Sequence, residues 1–308
     1  MLKLPNWTRR NFLGQVGGLG ALMSLPPGLL PQERLPTRPI PGTGESLPIV
    51  GFGSSKSVLE ILSQGSEPIL SVIQSLLDRG GRVVDTSIRT TEIDEAFGRD
   101  VMQVPAIQEN IFLATKVNTP NAEEGIRQHE QTMRLFGRRR VDLIQVESLN
   151  GLEHHWPRLK EWKDEGQTSY IGVTVSSYRN FDRLEQFMRR ESPDFIHVNY
   201  SPLEPGAEER VLPLAEDMGI PTIINRPFMN GSYFGRVGGQ KLPDWTADFD
   251  CHTWAQLSLK YILSNRAVTC VLTETTNPDH MIENIEAGFG GLPDESQRRS
   301  IRQLLSNL

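Results

Sequence analysis

The stretch Arg82-Val83-Val84-Asp85-Thr86-Ser87-Ile88-Arg89-Thr90-Thr91 decides the reading of the chain. Two valines run into an aspartate, and a polar loop then gives way to a helical pattern over 92–102. A strand that ends in a carboxylate and turns into a helix is how an α/β barrel supplies catalytic groups, because its active site lies at the carboxyl ends of its strands. The same pattern recurs on both sides of this stretch. Short β-branched runs predict strands over 48–53, 82–87, 111–117, 141–148, 169–176, 194–201, 221–228 and 267–273. Ile69-Leu70-Ile73-Leu76-Leu77 and Trp254-Leu257-Leu259-Tyr261-Ile262 show helical spacing between them. Gly80-Gly81, Gly166 and Gly219 stand just before strands, where a helix C-cap favours glycine. Eight apolar strands alternating with helices indicate a (β/α)8 TIM barrel. The competing doubly wound sheet would carry a Gly-rich phosphate turn after its first strand, and Gly51-Phe52-Gly53-Ser54-Ser55 lacks the third glycine.

The 308 residues carry a net charge of −6, which excludes the clustered excess of Lys and Arg that a nucleic-acid surface needs. Two cysteines, Cys251 and Cys270, make no disulfide framework, and no Cys/His zinc spacing is present. Residues 1–30 differ from the rest: Thr8-Arg9-Arg10-Asn11-Phe12-Leu13 precedes a Gly-rich, weakly apolar run without acidic residues. This resembles a twin-arginine signal, which implies passage through the twin-arginine translocation machinery to the periplasm or cell envelope. Its Gly and Pro content suits no stable membrane span. Residues 31–46 read as a Pro-rich linker outside any core, and 47–308 as the barrel. A polar C-terminal helix begins at Pro293-Asp294-Glu295, with Ile301, Leu304 and Leu305 on its apolar side.

The predicted strand ends deliver chemistry. Strand two delivers Asp85, strand three Lys116 and strand four Glu147, and strand six ends in His197-Val198-Asn199-Tyr200-Ser201. Strand seven ends at Asn225-Arg226, and Glu274-Thr275 follow strand eight. An Asp and a Lys in one barrel mouth form an ion pair that keeps the carboxylate charged and sets an ammonium beside any proton donor. A purely structural pair is the bland alternative. Glu147 also admits a barrel glycosidase, which needs a second carboxylate across the cleft that strand seven does not offer.

Five segments together resemble the aldo-keto reductase family over 47–288. They are Gly80-Gly81-Arg82-Val83-Val84-Asp85-Thr86-Ser87, Ala114-Thr115-Lys116-Val117, Asp142-Leu143-Ile144-Gln145-Val146, Tyr170-Ile171-Gly172-Val173-Thr174 and 277–284. The resemblance implies the barrel fold and hydride transfer from NAD(P)(H) to a small carbonyl or enone substrate, through an Asp, Tyr, Lys and His tetrad. Residue by residue, the aspartate falls on Asp85 and the lysine on Lys116. The tyrosine position falls on Thr90, a far weaker acid, and the histidine position on Glu147. Glutamate at the latter has a precedent in the family's steroid double-bond reductases, where a protonated carboxyl polarises the enone oxygen. The adenosine-phosphate positions fall on Glu274, Thr275, His280 and Asn284, and the nicotinamide positions on Thr174, His197 and Asn225. Glu274 would repel a 2′-phosphate, so NAD(H) is favoured over NADP(H). With two tetrad members replaced, a catalytically inactive barrel that binds a ligand or partner is the alternative. Tyr200 is a candidate substitute donor, Tyr233 and Trp245 candidate shapers of the mouth, and His154-His155 surface residues.

Overall fold

A computed structural model describes residues 33–308 of the protein. The twin-arginine-like segment lies outside the described residues. Eight parallel strands close a barrel in the order β10-β3-β4-β5-β6-β7-β8-β9. They are β3 (Val50–Gly53), β4 (Val83–Asp85), β5 (Phe112–Val117), β6 (Val141–Glu147), β7 (Thr168–Thr174), β8 (Phe195–Asn199), β9 (Thr222–Asn225) and β10 (Val268–Thr273). Each predicted strand is present, and helices follow in alternation, among them Glu67–Asp78, Ala122–Leu135, Leu152–Asp164 and Pro278–Glu286.

Alternation along these strands explains why the barrel has an apolar floor and a polar mouth. Side chains two apart share a face. Val83, Phe112, Leu143, Tyr170, Phe195, Ile223 and Cys270 all belong to one buried cluster. Within it the Phe112, Tyr170 and Phe195 rings pack with centroids 5.3–6.2 Å apart. Stepping two or four residues toward the carboxyl ends from these positions reaches Asp85, Lys116, Glu147, Thr174, His197, Asn225 and Glu274. Gly172 lies between the layers on β7. A Cβ there would stand 2.5 Å from the Phe195 carbonyl oxygen, so only glycine lets β7 and β8 approach this closely.

Within the segment read as a linker, the described residues are instead part of the fold. β1 (Thr37–Pro39) and β2 (Ser46–Pro48) form an antiparallel hairpin with Thr37 opposite Pro48. Ile40 and Leu47 join the barrel-floor cluster, Leu35 enters the outer core, and Arg38 donates to the Asn265 carbonyl at 3.0 Å. The hairpin plugs the amino-terminal end of the barrel. Its prolines are tolerated because a two-stranded ribbon leaves half of its N–H groups unpaired. At the other end of the chain, helix Glu295–Ser306 starts at a capping box between Asp294 and Gln297 and buries Ile301 and Leu305. His155 also departs from expectation. It is buried, with Nε2 2.6 Å from the Thr119 carbonyl oxygen, and ties the helix start to the loop after β5. No helix among the described residues is long and apolar enough to cross a membrane.

Candidate active site

The carboxyl ends of the barrel strands surround a cavity of about 530 Å³. Asp85 and Lys116 meet in its floor, because β4 pairs with β5 in a register that sets Asp85 beside Ala114, two residues before Lys116. The Lys116 ammonium donates to Asp85 Oδ2 and to the Thr86 carbonyl oxygen at 3.2 Å. Gln145 Nε2 donates to Asp85 Oδ1 at 3.2 Å. The pair is largely shielded, with side chains 10% and 7% exposed.

Glu147 completes this rim. Its Oε2 is buried and meets no hydrogen-bond partner among the described residues. Burial raises its pKa; the Lys116 ammonium opposes that shift, the Asp85 carboxylate reinforces it, and Arg89 opposes it. His197 lies deeper, with 2% exposure, and neither ring nitrogen has a hydrogen-bond partner among the described residues. Burial pulls its pKa down to about 4, so the imidazole is neutral at physiological pH. Its Nδ1 stands 3.9 Å from Asp85 Oδ1, a polar contact rather than an ion pair once the ring is uncharged. Asn225 donates to the Val175 carbonyl at 3.1 Å and leaves Oδ1 unpartnered. Thr174 lines the same cavity. Backbone strain gathers here too. Ser148, Leu149 and Arg226 hold φ of 55°, 58° and 54° immediately after β6 and β9, a conformation that disfavours side chains.

Several expected residues are placed elsewhere. Thr90 is exposed at the N-cap of helix Thr91–Phe97 and lies off the cavity wall. Arg89 turns inward in its place, because Asp94 Oδ2 accepts its backbone N–H at 2.8 Å and fixes the loop one residue earlier than the tetrad alignment expects. The only signal for this in the sequence is a cation inside an otherwise neutral loop. Glu274 lines the cavity but is already engaged: its carboxylate accepts from Ser55 Oγ and Ser57 N, both at 2.9 Å, and from Lys56 N. Thr275 lines the rim as well, whereas His280 is exposed and Asn284 buried, both away from the cavity wall. The helix start at Pro278 is capped by Asn277, which accepts from Asp279 N at 2.9 Å. Tyr200 is no substitute donor. It is fully buried outside the mouth, bonded to Glu208 and Arg298, and burial drives its pKa well up. Tyr233 donates to the Trp254 carbonyl and Trp245 packs on Phe249; the aromatics at the mouth are Phe228 and Phe234.

Fold and site together define a barrel whose carboxyl-end mouth holds a shielded Asp–Lys pair. The family model of the aldo/keto reductases matches residues 51–304, and the chain belongs to that family. The NADH-specific methylglyoxal reductase of Escherichia coli (strain K12) is 26% identical over 42% of this chain, and the match spans 46% of that relative's length. An aldo-keto reductase of Bacillus halodurans in its holo form superposes with a TM-score of 0.69 at 19% identity, covering 88% of this chain and 96% of its own. An aldo/keto reductase of Klebsiella pneumoniae in complex with NADP and acetate gives 0.71 at 17% identity, over 86% and 93%.

Proposed function

We propose that the protein is a nicotinamide-dependent oxidoreductase acting on a carbonyl or enone substrate, with Glu147 rather than a phenol as the proton-donating group. The observation that carries this reading is the company Glu147 keeps. A carboxyl with a raised pKa shares one rim with the Lys116 ammonium, above a floor of unpartnered polar atoms on His197 and Asn225. Those atoms fit a carboxamide, which offers both a donor and an acceptor, and Thr174 stands beside them. A bound nicotinamide supplies hydride. Everything else falls to this chain's side chains. Protonated Glu147 donates to the substrate oxygen, Lys116 steadies the developing negative charge, and Asp85 with Gln145 holds the ammonium in place. Thr90 has no part in this account.

NAD(H) is the proposed cofactor in preference to NADP(H). Glu274 would place a negative charge against a 2′-phosphate, and the Escherichia coli relative is described as NADH-specific. The paired arginines Arg9-Arg10 support export by the twin-arginine route to the periplasm or cell envelope. A second reading, a non-catalytic ligand-binding barrel, is favoured by one observation: among the described residues no tyrosine lines the cavity. It predicts no NADH consumption with any carbonyl.

Glu147→Gln separates the two. In the catalytic reading the wild-type rate of NADH oxidation with a panel of aldehydes, ketones and enones is highest below the Glu147 pKa, where the acid is protonated, and falls as pH rises through it. The variant should lose about 10²–10⁴-fold and show a flat profile. Stability carries the same signature. A folded pKa above the unfolded value means stability is full below the ordinary glutamate range and declines as pH rises through the folded pKa. Glu147→Gln should remove that slope in thermal melts. A wild-type enzyme whose rate ignores pH, or a fully active variant, would rule Glu147 out as the acid.

A further inference from the structure

Arg89 is a cation on the cavity wall whose acceptors among the described residues are all neutral. Its guanidinium donates to Thr86 Oγ1 at 3.2 Å, the Ser87 carbonyl at 2.7 Å, Ser54 Oγ at 3.0 Å and the Ser54 carbonyl. Two other cations of the wall are compensated, Lys116 by Asp85 and Arg226 by Glu204 at 3.4 Å, while Lys56 stands exposed at the rim. Among the described residues Arg89 forms no ion pair, although burial depresses its pKa and the charges of Asp94, Glu274, Asp85 and Glu147 act on it from further away. Asp94, the strongest of these, spends one oxygen on the Arg89 backbone N–H, and burial raises its own pKa. A shielded guanidinium pinned by oxygens from two loops, without a counter-ion, is a charge held ready for an anion that is not part of the chain.

The same cavity supplies the second half of the site. Glu147 Oε2, without a hydrogen-bond partner among the described residues, lines it together with Arg89 and Lys116. We infer that Arg89 binds a carboxylate on the substrate, so that the protein acts on oxo acids, with the acid group on Arg89 and the carbonyl oxygen directed to Glu147 and Lys116. This rests on the reading given under Proposed function and narrows its substrate class. The four terminal N–H groups of Arg89 are committed to Thr86, Ser87 and Ser54, so a carboxylate would meet its Nε–H and its positive charge, on the cavity wall that Arg89 shares with Glu147, Lys116 and Asp85. Anionic oxygens could also come from the cofactor's diphosphate, and the experiment distinguishes the two sources.

The full chain is titrated calorimetrically with phenylglyoxylate, with its methyl ester and with ADP-ribose, each in the absence of reduced cofactor, and the oxo acid and ester again with NAD⁺ present. The acid should bind about tenfold or more tightly than the ester. Arg89→Met should erase that preference while leaving ester and ADP-ribose binding unchanged, and Arg89→Lys, which keeps the charge but loses the Nε–H and the contacts that hold it, should fall between. Should Arg89→Met not fold, Arg89→Lys against wild type carries the test alone through the acid-to-ester ratio. Equal affinity for acid and ester in the wild type overturns the inference, as does a variant that weakens only ADP-ribose, which would assign Arg89 to the diphosphate. If NAD⁺ fails to bind while the acid still depends on Arg89, the oxidoreductase reading falls and the anion site stands.

Discussion

Replacing Asp85 by alanine is expected to lower the stability of the protein by about 3–5 kcal/mol, on the scale found when one partner of a shielded ion pair is removed. Asp85 is the ion-pair partner of Lys116, whose side chain is only 10% exposed, and it also accepts from Gln145. Without it the ammonium keeps one neutral acceptor, the Thr86 carbonyl. Hydride transfer should be lost together with stability. Urea unfolding measures the first effect and NADH oxidation the second. Lys116→Met in the Asp85→Ala background should recover part of the stability, because an apolar pair replaces an orphaned charge, but none of the activity. A double variant no more stable than Asp85→Ala would mean that the cost lies in packing rather than in the uncompensated ammonium.

A loss of similar size is expected far from the mouth. Glu208 gathers Tyr200 Oη, Tyr261 Oη at 2.5 Å, the Arg298 guanidinium and Arg302 Nη1 at 3.1 Å. Arg298 is 3% exposed, donates also to the Tyr261 carbonyl at 2.6 Å, and lies 4.2 Å above the Tyr261 ring. It pins helix Glu295–Ser306 to helix Trp254–Leu263 and to the turn Pro205–Glu208. Arg298→Met should cost about 3–5 kcal/mol in urea unfolding and release the C-terminal helix to proteolysis. Arg302→Met, at the half-exposed end of the same cluster, should cost no more than about 1 kcal/mol. Equal losses at the two positions would show that burial does not set the energetics of this cluster.

These two sites differ in how far they could be read from the residues alone. Asp85, Lys116 and Glu147 were legible because each ends a β-branched run, and period-two alternation sends each into the barrel. The Glu208 cluster was not legible, since Tyr200 and Arg298 bond across 98 residues of chain and only the packed helices bring them together. Arg89 and Thr90 show a subtler limit. The loop from Thr86 to Thr90 has no periodicity, so a one-residue shift in which side chain points inward leaves no trace in the local pattern. The shift depends on Asp94 capturing the Arg89 N–H. The hairpin over 37–48 was hidden by its composition. Proline-rich segments usually join domains, and the apolar residues Ile40 and Leu47 that bury here are too sparse to announce a strand pair.

In the function proposed here the barrel mouth holds a nicotinamide against His197 and Asn225, on the cavity that Glu147 and Lys116 also line. Calorimetric titration of the full chain with NADH, alongside NADPH and an Asn225→Trp variant whose indole would fill the polar floor, measures this binding. Saturable NADH binding, tighter than that of NADPH and abolished by the indole, is the predicted result. No saturable binding of either nucleotide, or binding untouched by Asn225→Trp, would contradict the account.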